Sequence, residues 1–182
     1  RMISVVIPVY KSQRILPELC RRLESVLGAL GEEYEVIFSV DCSPDGSFAV
    51  LRELAAKNGR FKPILLRKNV GYDNAIMAGL SFVGGRRVVI MDDDLQHAPE
   101  DIPALLQAAE SGSDVVYAGF SEKKQSWLKN LGSWFNDQAA NIILHKPKSI
   151  YLSPFKALNR EVVDELLKYD GPFPYIDGLI FQ

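Results

Sequence analysis

Short apolar runs and helical stripes alternate along the chain from its first residues. Ile3 to Val9 is an apolar run closed by Pro8 and Tyr10, and it reads as a buried strand. From Ile15 to Leu30, Leu16, Leu19, Cys20, Leu23, Val26, Leu27 and Leu30 recur on one helical face. The alternation continues with a strand at 35–40, a helix at 47–57 with Phe48, Leu51, Leu54 and Ala55 inward, and a strand at 63–66. It goes on with a helix at 73–83, a strand at 87–91, a helix at 99–110 and a strand at 114–118. Five βα units with short connections predict an α/β fold, a mostly parallel sheet with helices on both faces. In such sheets ligands collect at the carboxyl ends of the strands. The loops after Val9, Val40, Leu66 and Met91 therefore share one rim.

Beyond Phe120 the pattern is less regular. A polar stretch, Glu122-Lys123-Lys124-Gln125, precedes Trp127, Leu131, Trp134, Phe135, Ala139, Ile142 and Ile143 at helical period. Residues 149–158 look extended, and 160–168 read as helix. The tryptophans are read as packing, since aromatic stripes usually pack. The expected organisation is a single domain over 1–182: a ligand-binding half at 1–120 and a second lobe at 121–182, with trimmed ends and the lobe cut short at its C-terminus.

Composition narrows the function only a little. A net charge of −2 gives no electrostatic reason for a nucleic-acid partner. Cys20 and Cys42 have no metal or disulfide spacing and suit a reducing compartment. No apolar run approaches the length that spans a bilayer. His97 and His145 lack a second ligand at metal spacing, so neither is assigned a role.

The sharpest chemical feature is Val88-Val89-Ile90-Met91-Asp92-Asp93-Asp94, a strand ending in three carboxylates. Like charges at a strand end repel, and a divalent cation carrying phosphate would relieve that repulsion. Alternation sends Asp92 and Asp94 to one side and Asp93 to the other, so the first and third could share a metal. The competing reading is an acidic cap on the helix beginning near Pro99. Asp41, on the same rim, could accept a hydrogen bond from a ribose hydroxyl or a base N–H. Asp45 and Ser47 read as turn and cap residues. Gly71 permits a left-handed turn or a close approach to a ligand. Lysines 11, 68, 123, 124, 129 and 156 are by default surface residues, but Lys129 and Ser133 stand four apart on one helical face and could meet a phosphate.

Four segments, in order and each after a predicted strand, carry a resemblance over essentially the whole chain. They are Val5-Val6-Ile7-Pro8-Val9-Tyr10, Asp41-Cys42-Ser43-Pro44-Asp45, Asn69-Val70-Gly71 with Ala75, and Met91-Asp92-Asp93-Asp94-Leu95-Gln96 before Pro99-Glu100. The chain resembles family 2 glycosyltransferases of the GT-A fold, a Rossmann-like nucleotide-diphospho-sugar transferase architecture. The Asp-Leu-Gln ending, Trp127-Leu128-Lys129 with Ser133, and Phe155-Lys156 look like the polyprenyl-phosphate branch, which includes dolichyl-phosphate mannose synthase-like enzymes.

That resemblance implies an inverting, Mg²⁺- or Mn²⁺-dependent enzyme. It would move a sugar from a UDP- or GDP-sugar to a polyprenyl phosphate at the cytoplasmic face of a membrane, with only peripheral membrane contact. By motif position, Pro8, Tyr10, Asp41, Asn69, Gly71, Tyr72 and Asp93 would line the nucleotide-sugar pocket. Asp92 and Asp94 would bind the metal, and with Gln96 form the catalytic group. Lys129, Ser133 and Lys156 would hold the acceptor phosphate. The chain departs from the family at Val40, Phe120 and Pro154, and Lys156 replaces an Arg, losing bidentate geometry. These departures bear on the acceptor more than the donor.

A lipid phosphate is already an anion and needs no general base. A sugar hydroxyl, as in cell-surface polysaccharide synthesis, would need one, and Asp177 is the candidate. Two further classes stay open: a nucleotide-sugar-binding domain without turnover, and a metal-dependent hydrolase or nucleotidyltransferase. The last lacks a nucleophile elbow, a Walker loop or a His ligand.

Overall fold

The computed structural model describes residues 2–119 and 152–181. Phe120, Lys123, Lys124, Trp127, Lys129, Ser133, Trp134 and His145 lie outside the described residues. The elements are β1 (Met2–Val9), α1 (Leu16–Ala29), β2 (Glu33–Val40), α2 (Ser47–Lys57), β3 (Phe61–Leu65), α3 (Tyr72–Leu80), β4 (Arg87–Ile90), α4 (Ile102–Ala109), β5 (Val115–Tyr117), β6 (Lys156–Asn159), α5 (Arg160–Leu166) and α6 (Ile176–Ile180).

Side-chain alternation along β1 sorts the core into two layers. Ile3, Val5, Ile7 and Val9 join Leu19 and Leu23 of α1, Leu51 of α2 and Leu105 of α4 on one face. Val6, with Ile37 of β2 and Val88 and Ile90 of β4, joins Ile76 and Leu80 of α3, Val163 of α5 and Ile176 of α6 on the other. Each fully buried aliphatic side chain contributes on the order of 2 kcal/mol. On the second face α3 rides very close to β1: a Cβ added at Gly79 would stand 2.5 Å from Val6 Cγ1.

Two helix boundaries differ from expectation by three residues, for local reasons. An α-helix begun at Pro99 would need the N–H of residue 103 to reach the Pro99 carbonyl, and Pro103 has none. Residues Pro99–Asp101 therefore form a 3-10 turn, and α4 starts at Ile102 with Pro103 in its first turn. The third helix stops at Leu80 rather than 83. Phe82 and Val83 donate to the carbonyls of Gly79 and Leu80, tightening the end before Gly84 and Gly85.

The sheet order is β3-β2-β1-β4-β6-β5. The first four strands are parallel, as expected, with Val5 opposite Val36 on one side and Val89 on the other. β6 runs antiparallel between β4 and β5, so the fifth strand does not pair with the fourth. Residues from the predicted second lobe thus complete the sheet of the first. The order also places a topological switch between β1 and β4, where a crevice opens at the carboxyl ends.

Candidate active site

Each of the four loops at the carboxyl ends of β1–β4 contains one left-handed residue: Lys11 (φ 58°), Cys42 (49°), Gly71 (87°) and Leu95 (59°). Among the described residues, Lys11, Cys42 and Leu95 are the only non-glycine residues with positive φ. Strain of order 1 kcal/mol at each is thereby concentrated on one rim.

The first two loops are laced together by side-chain acceptors. Lys11 N–H donates to Ser43 Oγ at 2.7 Å, Ser12 N–H to Ser47 Oγ at 3.0 Å, and Gln13 N–H to Asp45 Oδ2 at 3.1 Å. Asp45 Oδ1 also accepts from the Ser43 and Ser47 hydroxyls at 2.7 and 2.6 Å. Burial alone would raise the Asp45 pKa, but donation from Ser47, Ser43 and the backbone outweighs it and holds the group at about 2. Asp45 is thus a turn residue, tied to the first amide of α2 at 3.1 Å, while Gly46 occupies the cap position.

Asp41 does something the sequence did not reveal. Its two oxygens accept the backbone N–H groups of Val70 (2.7 Å) and Gly71 (2.9 Å), and Asn69 Nδ2 reaches its carbonyl at 3.4 Å. The buried carboxylate clamps the start of α3 to the end of β2. Any contact to a ribose or base would use its remaining lone pairs.

The three acidic residues after β4 divide their partners. Tyr72, the first residue of α3, donates its hydroxyl to Asp92 Oδ1 at 2.6 Å. Asp93 Oδ2 accepts from the Ser12 hydroxyl and, at 3.4 Å, from the Tyr10 amide, bridging the switch between β4 and β1. Asp94 Oδ1 accepts the Gln96 amide at 3.0 Å. Burial raises the pKa of Asp92 and Asp93, with neighbouring carboxylates adding to it; the bonds from Tyr72 and Ser12 only partly offset this. Burial, then the Asp92 charge, also raises the Tyr72 phenol, so it stays a donor.

Pro8, Tyr10, Asp41, Asn69, Gly71, Tyr72, Asp92, Asp93 and Asp94 line a single cleft of about 350 Å³ with Val9 and Ala75. Asp93 and Asp94 also wall an adjoining cavity of about 430 Å³ that holds Lys11 and Arg14. Gln96 is exposed and is not among the lining residues of either. Among the described residues no three His, Cys, Asp or Glu side chains converge to enclose a metal ion by themselves. Asp92 and Asp94 each keep Oδ2 without a hydrogen bond from the described residues, so these two hard carboxylate oxygens could serve as ligands. Such a set suits a small divalent cation that takes its other ligands from phosphate and water.

Lys156 is not the surface lysine that default reading supplies. It is 4% exposed, faces the same side of the sheet as α3, and forms an ion pair with Asp177 Oδ1. The Tyr117 hydroxyl donates to that same oxygen at 2.9 Å, and the Lys156 ammonium lies 5.2 Å over the Tyr117 ring. Two residues predicted for rival acceptors are therefore one pair. His97 is buried, with Nε2 3.4 Å from Ser153 Oγ and its ring 5.2 Å from Phe155.

A model of glycosyl transferase family 2 matches residues 4–167. The chain belongs to this family. Solved structures agree on the fold. A mannosyltransferase from Pyrobaculum calidifontis in complex with GDP-Man and Mn²⁺ superposes with a TM-score of 0.66 at 18% identity, over 90% of this chain and 46% of that one. Glucosyl-3-phosphoglycerate synthase from Mycobacterium tuberculosis, in complex with Mn²⁺, UDP-Glc and phosphoglyceric acid, gives 0.67 at 18% identity, over 91% and 59%. S. aureus TarS gives 0.63 at 20% identity, over 100% and 54%. The fold is that of the GT-A glycosyltransferases, and this family 2 chain spans roughly half the length of those structures. No helix among its described residues is long and apolar enough to cross a membrane.

Proposed function

We propose that this family 2 chain is the catalytic domain of an inverting glycosyltransferase that moves a sugar from a nucleoside-diphospho-sugar to a polyprenyl phosphate. One observation carries the donor half of that reading: nine residues from the ends of four strands line one cleft at the β1/β4 switch. Asp92 and Asp94 would hold Mg²⁺ or Mn²⁺, and the Mn²⁺ in two of the structures of similar fold supports that choice. When bound, the cation supplies Lewis-acid neutralisation of the nucleoside diphosphate as it leaves.

The remaining work falls to the chain. Tyr10, Asn69 and Gly71 form the wall for the nucleoside, and the Asp41 clamp presets the loop that carries the last two. Asp93 binds β1's loop to β4's and so keeps the two halves of the cleft in register. An acceptor phosphate oxygen attacks the sugar's anomeric carbon as the bond to the diphosphate breaks. The nucleophile is already an anion, so its proton requires no base. Lys129 and Ser133 are proposed to position it, with Lys156 contributing if the phosphate competes with Asp177. A polyprenyl phosphate acceptor would put transfer at a membrane surface; the proposed face is the cytoplasmic one, and 121–182 is proposed as the acceptor side.

The Lys156–Asp177–Tyr117 cluster favours a second reading. Asp177 Oδ2 has no hydrogen bond from the described residues, and could take a proton from a sugar hydroxyl. Incubating the protein with a panel of UDP- and GDP-sugars, with or without Mn²⁺, against a short polyprenyl phosphate and against oligosaccharides distinguishes the two. Lipid-linked sugar supports the first reading; glycosylated oligosaccharide supports the second. Sugar released only to water contradicts both.

A further inference from the structure

We infer that Tyr72 is a positioning residue for the cation site, acting through Asp92. The inference rests on the reading of Asp92 as a cation ligand, and goes beyond Tyr72 as a wall of the nucleoside pocket. Its hydroxyl occupies Oδ1 of Asp92 at 2.6 Å and leaves Oδ2 for the metal. A carboxylate held at one oxygen loses less rotational freedom when the other binds a cation, and partners of this kind commonly account for 10–100-fold in metal affinity.

Tyr72 can do this because it is itself held. It is the first residue of α3, directly after Gly71, whose φ of 87° turns the chain into the helix. The amides of Val70 and Gly71 are fixed by Asp41. Asn74, one residue beyond Asp73, donates to the Val70 carbonyl at 3.0 Å and to the Pro172 carbonyl at 3.3 Å. The phenol is thus delivered to Asp92 from a helix start pinned on two sides. The chain of contacts Asp41–Gly71–Tyr72–Asp92 joins the nucleoside wall to the cation site without passing through any ligand.

Binding of Mn²⁺, followed by loss of the free-ion electron paramagnetic resonance signal in the presence of UDP or GDP, tests this directly. The wild-type chain is expected to bind Mn²⁺, and Asp92→Asn to abolish it. Tyr72→Phe, with its circular dichroism spectrum retained, should weaken Mn²⁺ about 10-fold. Tyr175→Phe, which removes a hydroxyl not bonded to Asp92, should leave affinity unchanged. Unchanged or tighter binding by Tyr72→Phe, or an equal loss in Tyr175→Phe, overturns the inference and spares the cation reading. Failure of the wild type to bind Mn²⁺, or undiminished binding by Asp92→Asn, overturns the cation reading itself, and the role of Tyr72 with it.

Discussion

Lys156 and Asp177 form an ion pair on the α3 side of the sheet, with side chains 5% and 18% exposed. The pair joins β6 to α6, and Tyr117 of β5 completes it with a second donor to the same oxygen at 2.9 Å. Removing one partner leaves a charge largely out of water. Lys156→Ala should therefore destabilise the fold by about 3 kcal/mol. In Lys156→Ala/Asp177→Ala the loss should be much less than the sum of the two single variants, as read by urea titration of all four proteins.

Asp45 sets a pH dependence with a defined sign. Its folded pKa, about 2, lies below the ordinary value of 3.8. Its contribution is fully present above pH 3.8 and is lost as pH falls toward 2. Asp45→Asn should melt below the wild type at pH 6, and the gap should close between pH 4 and 2. Thermal melts of both proteins across that range check it.

The approach of α3 to β1 admits no side chain at position 79. Gly79→Ala would drive a methyl to 2.5 Å from Val6 Cγ1, which as a β-branched side chain has little room to turn. A loss of about 1–3 kcal/mol is expected from overpacking. Gly79→Ala/Val6→Ala, which empties the space the new methyl invades, should recover part of it relative to Val6→Ala alone.

The two thiols should react differently. Burial raises the Cys20 thiol to about 12, whereas Cys42 is exposed. Iodoacetamide at pH 8 should label Cys42 alone in the folded protein and both residues in denaturant. Peptide mass mapping reads the sites.

Asp92→Ala and Asp94→Ala should each lower transfer by about 10²–10³-fold if they stabilise charge on the departing nucleotide. Asp92 carries a burial penalty rather than a stabilising ion pair among the described residues. Asp92→Ala should accordingly leave the thermal midpoint unchanged or higher, separating lost chemistry from lost folding. Initial rates and melts of the same preparations measure both.

Most of the sheet was legible because its strands are local signals. Ile3–Val9 is buried on both faces, and the carboxylates after Met91 stand where the strand ends. The rim loops were legible for the same reason, since chain order alone puts the ends of parallel strands together. What escaped depends on partners far along the chain. Nothing in Lys156-Ala157-Leu158-Asn159 announces insertion between β4 and β5, or that Lys156 is buried. The five-residue α6 has little helical signal. Its end is supported by Phe181, stacked 6.3 Å from Tyr117. Chain order shows the place of Asp41 on the rim but not that both its oxygens hold backbone amides 29 and 30 residues away. The Tyr72–Asp92 bond, between residues 20 apart, is likewise a product of the fold.

Anomalous diffraction from crystals soaked with Mn²⁺ and either UDP or GDP bears most directly on the proposed function. A manganese peak bound by Asp92 and Asp94, with the diphosphate beside it and the nucleoside against Tyr10, Asn69 and Gly71, is the expected result. Manganese and nucleotide bound elsewhere on the protein, with the cleft between β1 and β4 left empty, would contradict it.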